Sequence, residues 1–99
     1  MEETIFEKAS ETFLILGNIT RLKILYFLMN KQVSVNEISN ALNISQSNIS
    51  HQLKYLFMSN LVAYKKEGKK VYYTTSDSHV ESLLKVVFEH VGEKDENNN

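Results

Sequence analysis

Apolar residues recur every three or four positions from about residue 3 to 16, where Ile5, Phe6, Ala9, Phe13 and Leu16 share one helical face. Gly17-Asn18 interrupts the pattern, which resumes over residues 19 to 29 with Leu22, Ile24, Leu25 and Leu28. Ser34-Val35-Asn36-Glu37 reads as a capping box: the Ser hydroxyl and the Glu carboxylate can each satisfy a backbone N–H that the first turn leaves free. It opens a short helix, 35 to 42, with Val35, Ile38 and Leu42 as its apolar members. Asn43-Ile44-Ser45 is a tight turn, and Ser45 suits the N-cap of a helix over about residues 46 to 58.

Beyond residue 60 the period falls from 3.6 to 2. Residues 61–66 and 70–75 read as two strands joined by the turn Glu67-Gly68-Lys69. A last helix carries Val80, Leu83, Leu84, Val87 and Val91 as its apolar face. The polar tail, about 93–99, is expected to fray. The predicted order is α-α-α-α-β-β-α: one mainly helical domain over residues 1–99 with a small β-hairpin, whose terminal helices are expected to dimerise.

The third and fourth helices, joined by a turn of about three residues, form a helix-turn-helix. With Ile49 at zero on a helical wheel, Leu53, Leu56 and Phe57 fall within about 80° of it and read as core. Ser47, Ser50, His51 and Lys54 lie between about 100° and 200°, on the far side. Short polar side chains let a helix enter the major groove, and Gln46, Ser47, Asn48, Ser50 and His51 can bond base edges and phosphates. A hairpin with Lys65, Lys66, Lys69 and Lys70 near its turn completes a winged helix whose lysines, with Lys54, suit phosphates. Lysines at a turn also protect exposed strand edges from aggregation.

Charge supports the DNA reading. The net charge of −1 hides a segregation. Glu2, Glu3, Glu7 and Glu11 against Lys8 leave the first 17 residues at −3. Residues 18–76 carry Arg21 and seven lysines against Glu37 and Glu67, at +6, and residues 77–99 return to −4. A basic middle between acidic ends fits a nucleic-acid partner. The chain has no cysteine, which excludes disulfides and thiolate metal sites. No apolar run reaches membrane-span length, and Met1-Glu2-Glu3-Thr4 begins no signal peptide, so the expected location is the cytoplasm, without a membrane partner.

Two of the three histidines, His79 and His90, stand eleven residues apart on the last helix. That separation is about 20° around the axis but about 16 Å along it. One ion holds its nitrogen ligands at about 2 Å, so one straight helix cannot bring both to it. Two such helices paired antiparallel about a two-fold axis would set His79 of one against His90 of the other, giving two equivalent sites. Glu93 lies one turn beyond His90, and Asp77 converges on His79 if it occupies the non-helical lead-in to the helix. Two imidazoles and two carboxylates suit tetrahedral Zn²⁺, with Co²⁺ fitting the same geometry. Each residue also has an ordinary reading: Asp77 as an N-cap, Glu93 as a surface acid, a histidine as the edge of an apolar face.

The chain resembles the ArsR/SmtB family of winged-helix metal-sensing repressors over nearly its full length. Ser45-Gln46-Ser47-Asn48-Ile49-Ser50-His51-Gln52-Leu53 is similar to that family's recognition helix. Asp77-x-His79, ten residues, then His90-x-x-Glu93 looks like its C-terminal-helix zinc site. The resemblance implies a homodimer, with no further protein partner, whose metal-free form binds a palindromic double-stranded operator. Zn²⁺ or Co²⁺, two per dimer at intersubunit sites, would release it and derepress metal efflux or resistance genes. Members that sense cadmium, lead or arsenic use cysteines, absent here. Nickel sensors recruit extra ligands, often N-terminal; Met1-Glu2-Glu3 offers no histidine but two acids.

Three rivals remain. A zinc enzyme keeps an open coordination position, whereas four ligands close this site and no acid–base or nucleophile cluster accompanies it, so no enzyme is expected. A winged-helix regulator could use the last helix only to dimerise. A permanently filled structural zinc is disfavoured by exposed ligands without a thiolate.

Overall fold

The computed structural model describes the backbone of residues 1–97 and the side chains through Glu93. Five helices and one hairpin follow in the predicted order: α1 (Glu3–Leu16), α2 (Ile19–Leu28), α3 (Val35–Leu42), α4 (Gln46–Met58), β1 (Val62–Glu67), β2 (Lys70–Thr75) and α5 (Ser78–Asn97). The fold is a winged helix-turn-helix. The expected frayed tail is helical through Asn97, and residues 98–99 lie outside the described residues.

Local chemistry sets most of these boundaries. The Ser34–Glu37 capping box forms in both directions, and the Asn18 and Ser45 side chains accept the N–H groups of Arg21 and Asn48. Asn30, Asn43 and Asn60, just beyond α2, α3 and α4, take left-handed backbones with φ of 59°, 56° and 61°. Asparagine is the residue besides glycine that tolerates this geometry most readily, so each helix can exit sharply without a glycine.

The core lies among α2, α3 and α4. Ile24, Leu25, Leu28, Ile38, Ile49, Leu53 and Leu56 are wholly excluded from solvent. Leu61 and Val62 close it from the wing side, and Val80 and Leu84 of α5 join it. The two terminal helices leave much of their apolar faces bare in a single chain. In α1 only Ile15 and Leu16 are buried, while Ile5, Phe6 and Phe13 of the predicted stripe stay exposed. In α5, Val87 and Val91 are exposed beside the buried Val80 and Leu84. The apolar face read from the sequence exists in both helices, but one chain does not cover it.

The hairpin pairs Val62 with Thr75 through Glu67 with Lys70. Glu67 therefore ends β1, and the loop is Gly68-Lys69, one residue shorter than the sequence suggested. Gly68 has φ of +63°, the positive value that the first loop residue of a type II′ hairpin requires. One feature escaped the sequence reading. Val33 exchanges both backbone hydrogen bonds with Tyr73, at 3.0 and 2.7 Å, and pins the wing to the segment that leads into α3.

Candidate nucleic-acid interface and metal centre

Helix α4 presents Ser47, Ser50, His51 and Lys54 as an exposed stripe opposite the buried Ile49, Leu53 and Leu56. This is the segregation the sequence predicted, with one correction. Phe57, assigned to the core, is exposed and lies against Tyr64 of β1, ring centroids 5.1 Å apart. Its position at the margin of the apolar arc lets the wing, not the core, claim it.

Two predicted base-proximal residues already have partners. Gln46 donates from Nε2 to Oδ1 of Asn36 on α3, at 2.8 Å. Asn48 accepts from Nε2 of Gln52, at 3.4 Å. Gln52 in turn accepts from Nε of Arg21, at 3.0 Å, and the Arg21 guanidinium sits 4.3 Å from the centre of the Tyr55 ring. Arg21 therefore locks α2 to α4 and fixes the pitch of the exposed stripe. No local pattern signals this contact, because the partners are 31 residues apart.

The wing lysines divide between its two faces. Lys66 shares a groove with Lys54 of α4, floored by Leu53, Phe57 and Tyr73. Lys65 points to the opposite face and pairs with Glu67 at 2.9 Å, so part of its charge is answered within the wing. Lys69 and Lys70 are exposed at the tip. Tyr73 beneath Lys66 is partly buried, and that burial, with Tyr64 nearby, raises its phenol above the usual tyrosine pKa. It stays neutral and packs as an aromatic body.

At the other end of the chain, Asp77 is the N-cap of α5. Its Oδ1 accepts the N–H groups of His79, at 2.9 Å, and Val80, at 3.1 Å. The condition set by the sequence is met: Asp77 sits in the non-helical lead-in, with Oδ1 3.7 Å from Nδ1 of His79. The His79 side chain is 95 % exposed. His90 and Glu93, one turn apart near the far end, are exposed as well. Among the described residues of one chain no three histidines or carboxylates converge on a point that could hold a metal. The four candidate ligands stand as two separate pairs at opposite ends of α5, and imidazole with carboxylate is a donor chemistry that suits a divalent ion.

A profile of bacterial regulatory proteins of the arsR family matches residues 18–64, from the N-cap of α2 into the wing. The chain is 34 % identical over 89 residues to the transcriptional repressor SmtB homolog of Synechocystis sp., an alignment covering 90 % of this chain and 67 % of the relative. The chain belongs to the arsR family of bacterial transcriptional regulators. A cadmium resistance transcriptional regulatory protein CadC homolog of Staphylococcus aureus is 35 % identical over 82 residues, 82 % of this chain and 68 % of the relative. Among solved structures, reduced HlyU from Vibrio cholerae superposes with a TM-score of 0.80 at 33 % identity, covering 88 % of this chain and 92 % of HlyU. As a family member the chain is a DNA-binding regulator of transcription. Among the described residues no helix is long and apolar enough to cross a membrane.

Proposed function

We propose that the chain is a metal-responsive repressor that acts as a homodimer. The metal-free dimer sets two α4 helices about 34 Å apart, in successive major grooves of an imperfect palindrome. Ser47, Ser50 and His51 meet the bases directly, whereas Gln46 and Asn48 must first exchange their bonds to Asn36 and Gln52. Lys54, Lys66, Lys69 and Lys70 hold phosphates, with Lys65 contributing less because Glu67 competes for it.

The effector is Zn²⁺ or Co²⁺, two per dimer. Each ion is held by Asp77 and His79 of one subunit with His90 and Glu93 of the partner subunit. The observation that carries this reading is the Asp77 cap, which sets a carboxylate near an exposed imidazole at one end of α5, while exposed His90 and Glu93 stand one turn apart near the other as the second candidate half-site. The ligand set also favours it: no cysteine is present, so the donors are imidazole and carboxylate. Relatives named for transcriptional repression and for cadmium resistance support both the regulatory sign and a metal signal. Joining the α5 helices through four ligands fixes their mutual angle, and with it the separation of the two α4 helices. If the bound separation mismatches the operator, metal and DNA oppose each other, each weakening the other by one common factor. The genes released would then be those of metal efflux or resistance.

Fluorescence anisotropy on DNA from upstream of its own gene tests the whole reading. Binding should be tight with chelator and reversed by Zn²⁺, and His90→Asn should bind DNA normally but ignore the metal. A His90→Asn protein that still released DNA with Zn²⁺ would overturn the site assignment.

A further inference from the structure

A groove of about 460 Å³ opens between α2, the end of α3 and α5, apart from both the α4 stripe and the α5 half-sites. Leu22, Phe27, Leu42 and Phe88 supply apolar wall, and Tyr26 lies against Phe88 with ring centroids 5.4 Å apart. Two charged side chains line it, Lys23 and Lys31, and both are cations. Lys31 is exposed, with its Nζ 4.3 Å from the centre of the Phe27 ring.

Its volume lies in the range of small-molecule sites, about 300–1,000 Å³, and such sites combine apolar wall with a few placed polar groups. An apolar wall with two ammonium groups on α2 and its following loop selects a particular ligand chemistry. A neutral apolar molecule would gain nothing from the two exposed ammonium groups, and an inorganic anion would gain nothing from the wall. We infer that this groove binds a small amphipathic anion, a single carboxylate or sulfonate on an aliphatic or aryl body. The body lies on Leu22, Phe27, Leu42 and Phe88, and the anionic head meets Lys23 and Lys31.

The position gives such a ligand something to act on. Leu42 ends α3 immediately before the turn into α4, and Phe88 belongs to α5. A ligand touching both would bias their packing, and any effect on DNA affinity would be returned as an equal effect of DNA on the ligand. This site does not depend on the metal reading.

The test is a titration of the full-length, metal-free, ¹⁵N-labelled protein with octanoate, followed by amide NMR, with octanol as the uncharged counterpart. Saturable shifts should centre on residues 19–31, Leu42 and Phe88, with octanoate at least about tenfold tighter than octanol, a difference of about 1.4 kcal/mol. The double variant Lys23→Gln/Lys31→Gln should erase that preference, and Lys85→Gln, outside the groove, should keep it. Equal affinity for the two probes, a preference that survives the double variant, shifts that do not saturate, or shifts centred instead on Phe13 and Val87 would each overturn the inference. So would intersubunit contacts placing the partner's acidic α1 in the groove, since the same lysines would then answer Glu2 and Glu3.

Discussion

The middle of this chain and its two ends treat apolar side chains in opposite ways. Between α2 and α4, seven large aliphatic side chains of the predicted core faces have 0 % exposure, and Leu22, Val35 and Leu42 are partly buried against them. At the ends, Phe6 keeps 57 %, Phe13 64 % and Leu14 77 % of its surface in water, and on α5 Val86 keeps 63 %. Both regions have helical periodicity of apolar residues. What differs is that the middle buries its face within one chain and the ends do not. Large bare apolar faces mark interaction surfaces, and an isologous contact between two copies would cover those of both terminal helices at once. On this view the DNA-reading unit is self-sufficient, and the flanking helices exist to set two such units at a distance.

The largest test of that contrast lies in the middle. Leu53→Ala empties a fully enclosed site between α4 and the rest of the core, and should cost about 2–5 kcal/mol of stability, read by urea unfolding. The equivalent truncation at an end should behave differently. Phe13→Ala should leave the unfolding of dilute monomer nearly unchanged. It should weaken dimerisation by about 2 kcal/mol, roughly thirtyfold, in sedimentation equilibrium, as expected for an aromatic anchor. If Phe13→Ala instead unfolded the monomer as severely as Leu53→Ala, the ends would not be an interface and the contrast would collapse.

The same contrast explains what could be read from the sequence and what could not. Caps and turns are local, so Ser34, Glu37 and Ser45 fixed the limits of α3 and α4 without any knowledge of the fold. A period identifies an apolar face but not its cover, so which residues of α1 turn inward, Ile15 and Leu16, could not be told from the rest of its stripe. Phe57 failed for a related reason: at the edge of its arc, only the position of Tyr64 decides whether it turns inward. The Val33–Tyr73 pairing is a single bridge and has no period to detect. On α5 the separation of His79 and His90 was legible, because helical rise alone forbids them from sharing an ion within one chain. A contact between two copies of α5 is a relation between chains, which no single-chain pattern encodes.

Asp77 separates structural from effector roles at the junction of the two regions. As an N-cap it holds the first turn of α5, and Asn replaces Asp well in that role, whereas Ala costs about 1 kcal/mol. Asp77→Asn should therefore retain the stability of the parent while losing affinity for Zn²⁺, and Asp77→Ala should lose both. Co²⁺ titration read by its visible bands, beside thermal unfolding of metal-free protein, checks the pair. Unchanged Co²⁺ spectra and affinity in Asp77→Asn would leave Asp77 as a cap and nothing more.

The smallest effects belong to the wing, where charges are exposed and each contributes little. Replacing Lys66, Lys69 or Lys70 singly by Gln should lower operator affinity about equally for good and poor sequences. Each should also reduce the slope of log affinity against log salt by about 0.9, the release of one counterion. Lys65 breaks the series. Its ammonium lies 2.9 Å from the Glu67 carboxylate, so part of its charge is neutralised before DNA arrives, and a phosphate must displace that partner. Lys65→Gln should change the slope by clearly less than the other three. Glu67→Gln should strengthen binding slightly, because it frees Lys65 and removes a negative charge from the wing. Four equal slopes across the series would mean that the Lys65–Glu67 pair opens freely in solution, as many exposed ion pairs do, and that the hairpin meets DNA as an undivided patch of charge.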